Sequence, residues 1–570
     1  MTFRYYPSYI KSYTVDGKTC HEAYIRAREA VIDSGVTYTL CESNRALEGD
    51  HVVIVSAEGG CASVINIVKR ACNLISGVLL TGSGHKSYGR TSRGLTIYEF
   101  QPLSSRFPTF RVPSSMTVGQ PDQYVVIEFS EWSEYSPYPQ GTLIRSLGPV
   151  NSPEAEDLAL RYKNMVYRKS FNPDTVRHAL ATCHGAIDRL NMPLTDRPVY
   201  TDTMSIDPAG SLDLDDAFSI GRDGKSISVH IADVDYFLPD GNTLEKAMRE
   251  RMTSIYGHTV DPMLPKVFSA EIISLKPDKR RKLCPVITVF MPYDDDAQEL
   301  RPLIASLSYI RPDAGRQLTY ESAQQLLDDG DKILKAAARM TGYTDTHKIV
   351  ECLMVKANFY VAKMLKNDKT ILRTMDPGYT ASYTFSTAGS ADYHAALGLQ
   401  GYTHFTSPIR RYVDLLIHRQ LKDKLAGLPD TQVNADEQYL NRLNAYMQNT
   451  RRYYRDRNLL ELLLKLNGDT VITTACVISY SSPYVTVSLS SYKCLFSYPL
   501  VSKKLEKIIS VMDNADELQL VNTQSAVSIT IPKFKEVQVV LTPMPNVTNI
   551  KGRLIMTFPE VSEFLINSEC

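Results

Sequence analysis

Between Ser205 and Phe218 the chain reads Ser-Ile-Asp-Pro-Ala-Gly-Ser-Leu-Asp-Leu-Asp-Asp-Ala-Phe, and no other stretch limits its folding as much. Four aspartates, Asp207, Asp213, Asp215 and Asp216, fall within ten residues, separated by small or apolar side chains. A solvated acidic face would carry Lys, Glu or Ser between its charges. Here Ile206, Leu212, Leu214, Ala217 and Phe218 favour burial and draw the carboxylates into a confined space. Two carboxylates about 4 Å apart repel by roughly 4 kcal/mol at an effective dielectric of about 20. Several such pairs exceed the margin by which most domains are stable, so protonation or a bound cation has to relieve them. Oxygen-only donors favour Mg²⁺ or Mn²⁺ over zinc. Two such ions, roughly 3.5–4 Å apart, serve in-line displacement at a phosphodiester. The plainer alternative is an acidic turn or a Ca²⁺ loop. An EF-hand loop needs a Gly after its third ligand and a closing Glu, and neither is present. Spacing alone leaves a catalytic divalent-metal site and a structural turn both open. Beyond Gly221, Arg222-Asp223-Gly224 reads as a hairpin turn into the alternating strand Ser226–Ala232, so the acids sit where a loop feeds a sheet.

A chain of 570 residues is too long for one core and predicts several domains. Lys plus Arg and Asp plus Glu balance at 63 each, which argues against a polybasic coat but leaves room for a local basic groove. Ten cysteines, among them Cys20, Cys61, Cys183 and Cys352, are scattered without a C-x-x-C pair, which argues against a structural zinc site. Met1–Tyr13 is polar and aromatic rather than a secretory signal, and no run of about 18 apolar residues occurs. The expectation is a reduced, cytoplasmic, soluble protein with no membrane partner.

Short β-type segments broken by Gly, Ser and Pro fill the chain up to Ser152: Asp50–Ala57, Ala62–Val68, Gly94–Phe100 and Gln123–Phe129. Ser152-Pro153 reads as a capped helix start, and Asn172–Leu190 as a helix. Residues 190–466 mix strands with longer helices such as Thr346–Leu365 and Pro408–Leu425. After Asn467-Gly468, the segments Thr470–Tyr480, Tyr484–Leu489 and Val527–Ile531 predict a further small β-barrel.

The pattern I-D-P-x-x-x-x-D-x-D-D-A at Ile206–Ala217 resembles the signature of the RNB domain of the ribonuclease II/R family. A second signature follows, Tyr402-Thr403-His404-Phe405-Thr406-Ser407-Pro408-Ile409-Arg410-Arg411-Tyr412-Val413-Asp414-Leu415, then His418-Arg419. Between them, Thr253–Tyr256 with Asp261–Pro265 resembles the family's tyrosine segment, and His347–Ala362, with Glu351, Met354, Ala357 and Asn358, its central helix. Upstream, Asn44–Asp50 and the stretch from Trp132 to Gly148 are similar to the two cold-shock-like barrels of the branch that includes the eukaryotic exosome's catalytic subunit and its free cytoplasmic relatives. The chain starts too close to the barrels for that subunit's N-terminal endonuclease domain.

The resemblance implies a multidomain α+β protein in which a mixed α/β RNB catalytic domain is flanked by small OB-type β-barrels. Its expected parts are 1–100, a cold-shock-like barrel; 101–185, a second one with linker helices; 186–466, the RNB domain; and 467–570, a C-terminal OB-type barrel. The implied activity is processive, hydrolytic 3′→5′ degradation of single-stranded RNA to 5′-monophosphates by a two-metal mechanism with Mg²⁺ or Mn²⁺. Asp207, Asp213, Asp215 and Asp216 are the implied metal site, with Asp215 and Arg410 catalytic. Tyr256 would stack on the terminal bases, and Arg411, Arg419 and Arg455 would contact RNA. Partners would be single-stranded RNA and RNA-decay cofactors, with the protein a monomer. The rival is an inactive RNA-binding scaffold on the same fold.

Some of these roles also follow from the residues. Thr406 or Ser407 can cap a helix whose first turn holds Pro408, leaving Arg410 near the positive end of its dipole, where a guanidinium and free N–H groups suit a phosphate. The alternative pairs Arg410 with Asp414. Tyr256 lies in a β-type run, where an aromatic can equally be core. Arg451–Arg457 alternates cations with Tyr453 and Tyr454 and reads either as a channel contact or as a solvated helix face; Tyr454 stands where some family members carry an acid. Gly82-Ser83-Gly84-His85-Lys86-Ser87 is similar to a phosphate-binding P-loop, but His85 breaks the spacing and no nucleotide hydrolysis is indicated.

Overall fold

Local sequence decides several element ends directly. Ser152 accepts a hydrogen bond from the N–H of Ala155 and starts the helix Pro153–Lys163; Asn172 accepts from Asp174 and Thr175 and starts Pro173–Arg189. Each has its proline in the first turn, where no N–H partner is missed. The computed structural model describes residues 12–561 except 16–17, 27–28, 33–34, 57–59, 72–73, 193–195, 377–380, 387–391, 429–430, 482–483, 493, 501–508, 515, 526, 545–546 and 560. Most of the opening segment read as lacking a signal, residues 1–11, therefore lies outside the described residues.

The chain forms two compact units, Met1–Tyr167 with Gln448–Cys570, and Arg168–Met447. In the first, the strands Lys18–Arg26, Glu29–Ile32, Thr37–Glu42, Cys61–Lys69 and His51–Ser56 follow one another in a sheet, and His51–Ser56 pairs back onto Lys18–Arg26. Ala23, Ile25, Val52, Ile54 and Val64 fill its core. A closed barrel follows, built from Leu74–Leu79, Thr96–Pro102, Phe110–Ser114, Gln123–Glu131 and Gln140–Pro149 around Tyr98, Phe100, Phe110 and Ile127. Strands cross so closely at Gly77 that a Cβ there would overlap the carbonyl of Gln101. The expected boundary at residue 100 thus falls inside this barrel, because Leu74–Leu79 pairs with Gln123–Glu131 as well as with Thr96–Pro102. A long Gly- and Ser-rich loop separates strands that hydrogen bonding unites. The tail forms a sheet of Cys494–Pro499, Tyr484–Leu489, Val471–Ser481, Glu536–Pro543 and Leu554–Thr557, with a three-stranded sheet beside it in sequence.

The second unit is built on a sheet ordered Val199–Tyr200, Ile304–Ile310, Cys284–Asp294, Ser226–Ala232 and Asp216–Ile220. Ser226–Ala232 alternates polar and apolar residues, yet every position is buried. Its histidine is satisfied internally: His230 bonds Ser219 and Thr288, both at 2.9 Å. Helices Tyr320–Asp329, Lys332–Thr341, Thr346–Met364 and Tyr412–Leu425 contribute to the same core as this sheet. The last helix starts at Tyr412 rather than Pro408, since residues 408–411 form a turn. No described helix is long and apolar enough to cross a membrane. The architecture is a mixed α/β block together with OB-type modules.

Candidate active site

The acidic segment is held from both ends and the middle. Ser205–Asp207 pairs in parallel with Gln317–Thr319, placing Asp207 opposite Thr319 at the start of the helix Tyr320–Asp329. Gly210, at φ +82°, turns the chain in a conformation that a side chain would strain. Ser274 then clamps the loop, donating to the Leu212 carbonyl at 2.9 Å and accepting from the Leu214 N–H at 3.1 Å. Asp216 opens the strand Asp216–Ile220. Ile206, Leu214, Ala217 and Phe218 are buried as their chemistry demands. Leu212 is not: it is 46% exposed, because the clamp uses its carbonyl and leaves its side chain outside.

All four aspartates belong to one electrostatic group. Asp215 is buried; one oxygen accepts from the Ile409 N–H at 2.7 Å, and the other lies 3.3 Å from Arg410 Nε without a hydrogen bond. Asp207 Oδ2 is likewise buried without a hydrogen-bond partner. Asp213 accepts from the Tyr256 hydroxyl at 2.9 Å. Burial, then the charge of Asp216, pushes the Asp207 carboxyl up to about 7. Burial lifts Asp216 to about 6, against the pull of Arg410, and raises Asp215 well above the usual range. These are carboxylates short of positive charge.

Arg410 precedes its helix. The turn that presents it is closed by the N–H groups of Arg410 and Arg411 donating to Ser407 O, and its carbonyl accepts from Ser254 N–H and Thr253 Oγ1. Its partner is Asp215, not the Asp414 of the sequence-based alternative; Arg411 takes Asp414 instead, at 2.8 Å. Fully buried Asp414 also accepts from Ser407 N–H, fastening the turn from behind. Burial would lower the Arg410 guanidinium, but Asp215, Tyr256, Asp414 and Asp216 together outweigh it and the group is raised. Arg410 remains half-exposed, open on one side to a ligand.

Other expected residues are placed differently. Arg419, expected to contact RNA, pairs here with Asp235, Asp240 and Glu245. Arg411, the other expected RNA contact, is mostly covered and pairs with Asp414. Arg455 is exposed on the part of the helix Glu437–Leu466 that belongs to the first unit. Neighbouring Tyr453 is buried and donates to Asp157, so the Arg451–Arg457 run is not an aromatic-lined surface throughout. Three residues near the acids were not expected. Lys276 donates to Ser211 O and draws the Asp207 carboxyl down; Tyr320 lies within the field of Asp216 and Asp207; and His347 stacks on Tyr320 at 3.9 Å and 8°. Only the parallel pairing of Asp207 with Thr319 brings Tyr320 there, a contact between residues far apart in the chain.

The donor set is all oxygen, and two buried carboxylate oxygens lack partners, which suits a hard divalent cation. Among the described residues, no three His, Cys, Asp or Glu side chains converge closely enough to hold such an ion as they stand. Arg410 currently supplies the positive charge at Asp215.

Residues 199–341 and 370–427 match the RNB domain, the segment that contains the four aspartates and Arg410. This part of the chain is an RNB domain. Outside the RNB domain, residues 97–165 match the Dis3-like cold-shock domain 2. The chain is 24% identical over 475 residues to the probable exosome complex exonuclease RRP44 of Caenorhabditis elegans, covering 63% of this chain and 47% of that protein. It is 25% identical to DIS3-like exonuclease 2 of the same organism, covering 56% of this chain and 54% of the relative. The chain thus spans about half the length of the curated relatives it matches. Its fold is similar to Mycoplasma genitalium RNase R solved with ribose-methylated single-stranded RNA, with a TM-score of 0.71, 17% identity, and 95% of this chain and 100% of that one covered. It is also similar to yeast Ssd1, described as a pseudonuclease, with a TM-score of 0.59, 16% identity and 94% and 96% covered.

Proposed function

We propose that this RNB-domain protein hydrolyses single-stranded RNA processively from its 3′ end and releases 5′-monophosphates. The observation that carries the proposal is the acidic group of Asp207, Asp213, Asp215 and Asp216, with Asp215 buried, the Asp207, Asp215 and Asp216 carboxyls raised, and the half-exposed Arg410 beside them. These four carboxylates would hold Mg²⁺ or Mn²⁺, which when bound supplies Lewis acidity at a phosphate and lowers the pKa of water. The chain's own part is positioning and charge. Asp215, fixed through Ile409 N–H, is the base that takes a proton from attacking water as the phosphorus–O3′ bond breaks. Arg410 turns from Asp215 towards the phosphate and stabilises the charge that builds on its oxygens. Tyr256, anchored through its hydroxyl to Asp213, offers its ring to the terminal base without regard to sequence.

A second reading, an RNA-binding scaffold without catalysis, draws on Arg410 closing over Asp215 and on the absence of three converging ligands among the described residues. One experiment separates them. Purified protein is incubated with 5′-labelled single-stranded RNA in Mg²⁺ and in EDTA, beside Asp215→Asn. The nuclease reading expects progressive shortening to a small labelled product, absent in EDTA and in the variant. Intact RNA that still shifts on a native gel supports the scaffold.

A further inference from the structure

Strand pairing in the first sheet brings two cysteines from separate strands together. Thr37–Glu42 runs parallel to Cys61–Lys69, with Thr39 opposite Cys61 and Leu40 opposite Ala62. The register then slips, so that Glu42 stands opposite Ser63 and Cys41 is the extra residue of a bulge. Three steps along one strand match two along the other, which draws Cys41 back towards Cys61. Leu40 and Ala62 face the core, so their neighbours Cys41 and Cys61 turn outwards on the same face. The two thiols are hydrogen bonded, and that contact is the largest of the influences raising the Cys41 group above its ordinary value. Both are free; Cys41 is exposed and Cys61 half-buried.

The chain between the two cysteines joins this sheet to the closed barrel. Leu47 packs into the barrel core with Ile75, Tyr98 and Phe110. Asp50, fully buried, accepts from Leu47 N–H, Ala71 N–H and Arg70 at 2.6 to 2.8 Å. A bond between Cys41 and Cys61 closes a covalent loop around that segment and restrains the junction it makes.

We propose that Cys41 and Cys61 form a reversible disulfide by exchange with a small-molecule disulfide such as oxidised glutathione. The Cys41 thiolate attacks one sulfur of that disulfide, forming a mixed disulfide and releasing one glutathione thiolate. The Cys61 thiolate then attacks the Cys41 sulfur, closes the protein bond and releases the second glutathione. Two protein thiols are oxidised, one glutathione disulfide is reduced to two thiols, and the two protons leave with the glutathiones. Cys41 reacts first because it is the exposed member, and Cys61 resolves because it already touches Cys41. An exposed bond of this kind, opened and closed by the glutathione pool, is a redox sensor rather than a permanent staple. The proposal is independent of the nuclease reading.

The test uses the full reduced chain in mixtures of oxidised and reduced glutathione at about pH 8.5, where a raised thiol still supplies thiolate. Remaining thiols are blocked with iodoacetamide, and the protein is mapped by mass spectrometry without reduction. The parent should give one crosslinked pair of peptides, joining Cys41 to Cys61, that dithiothreitol removes. Cys61→Ser should instead keep glutathione on Cys41, at about tenfold or more the level in the parent, because its resolving thiol is gone. Cys41→Ser should leave Cys61 unmodified, and the buried Cys183 and Cys284 should stay unmodified in all three proteins. Amide exchange across residues 42–56 should slow on oxidation of the parent and not of Cys61→Ser. Glutathione that stays on Cys41 in the parent, a crosslink from Cys41 to another cysteine, both thiols left unreacted, or exchange unchanged by the bond would each overturn the proposal.

Discussion

Two groups of acids within the second unit, each with one fully buried member, have opposite fates. Asp233, Asp235, Asp240 and Glu245 face Arg419 and Lys422, one turn apart on the helix Tyr412–Leu425, at distances from 2.8 to 3.3 Å. Burial would raise Asp235, but Lys422 and Arg419 outweigh it and hold its carboxyl below the usual range. Asp207, Asp213, Asp215 and Asp216 share Arg410 as their nearest paired cation, and burial lifts Asp207, Asp215 and Asp216 instead. The first group is complete and holds a helix in place. The second is incomplete, and its deficit of positive charge is what a cation or a phosphate-bound metal would fill.

The sharpest break of this contrast is Asp215→Asn. RNA hydrolysis should fall by about 10³-fold or more, while the melting temperature stays level or rises, because a buried, underpaired charge is gone. A matching loss of stability would place Asp215 with the structural group. Arg419→Met should do the reverse, costing about 3–5 kcal/mol by stranding buried acids. Urea titration measures it, and activity should fall only as the protein unfolds. Acidity sharpens the comparison next. Asp207 near 7 and Asp216 near 6 keep protons that the unfolded chain gives up at about pH 4. Without divalent ions, stability is therefore full below that point and declines as pH rises through 6 to 7. The slope is about 1.4 kcal/mol per pH unit for each group. Melts in EDTA between about pH 5 and pH 8 should show the decline, and Mg²⁺ should remove it. Melts that rise with pH in EDTA would erase the distinction. The smallest effect is at Tyr256: alanine should raise KM by about tenfold through lost stacking, and phenylalanine by under about threefold. Steady-state kinetics on short RNA would tell ring from hydroxyl.

Much of this was legible in the residues. Strand Ser226–Ala232 lies where its alternation predicts and Tyr484–Leu489 where its β-type residues do, and the helices after Ser152 and Asn172 begin where capping chemistry starts them. The four aspartates are close in sequence, and contacts from Gln317–Thr319 and Ser274 hold the segment that carries them. Other placements depended on partners far along the chain. The turn that presents Arg410 displaces the helix start to Tyr412, since Asp414 reaches back to Ser407 N–H instead of leaving a hydroxyl to cap. Arg419 looked free because Asp235 lies 184 residues away.

The sequence by itself determined which chemistry could be present: an oxygen-only acidic group, an arginine and a tyrosine, all carried by local spacing. Tertiary structure alone decided which charges are cancelled. Arg419 is consumed by the Asp235–Glu245 group, whereas Arg410 is left half-exposed beside Asp215. The physical reason is that the energy of a charge depends on what surrounds it within a few ångströms, and those neighbours are assembled from distant parts of the chain.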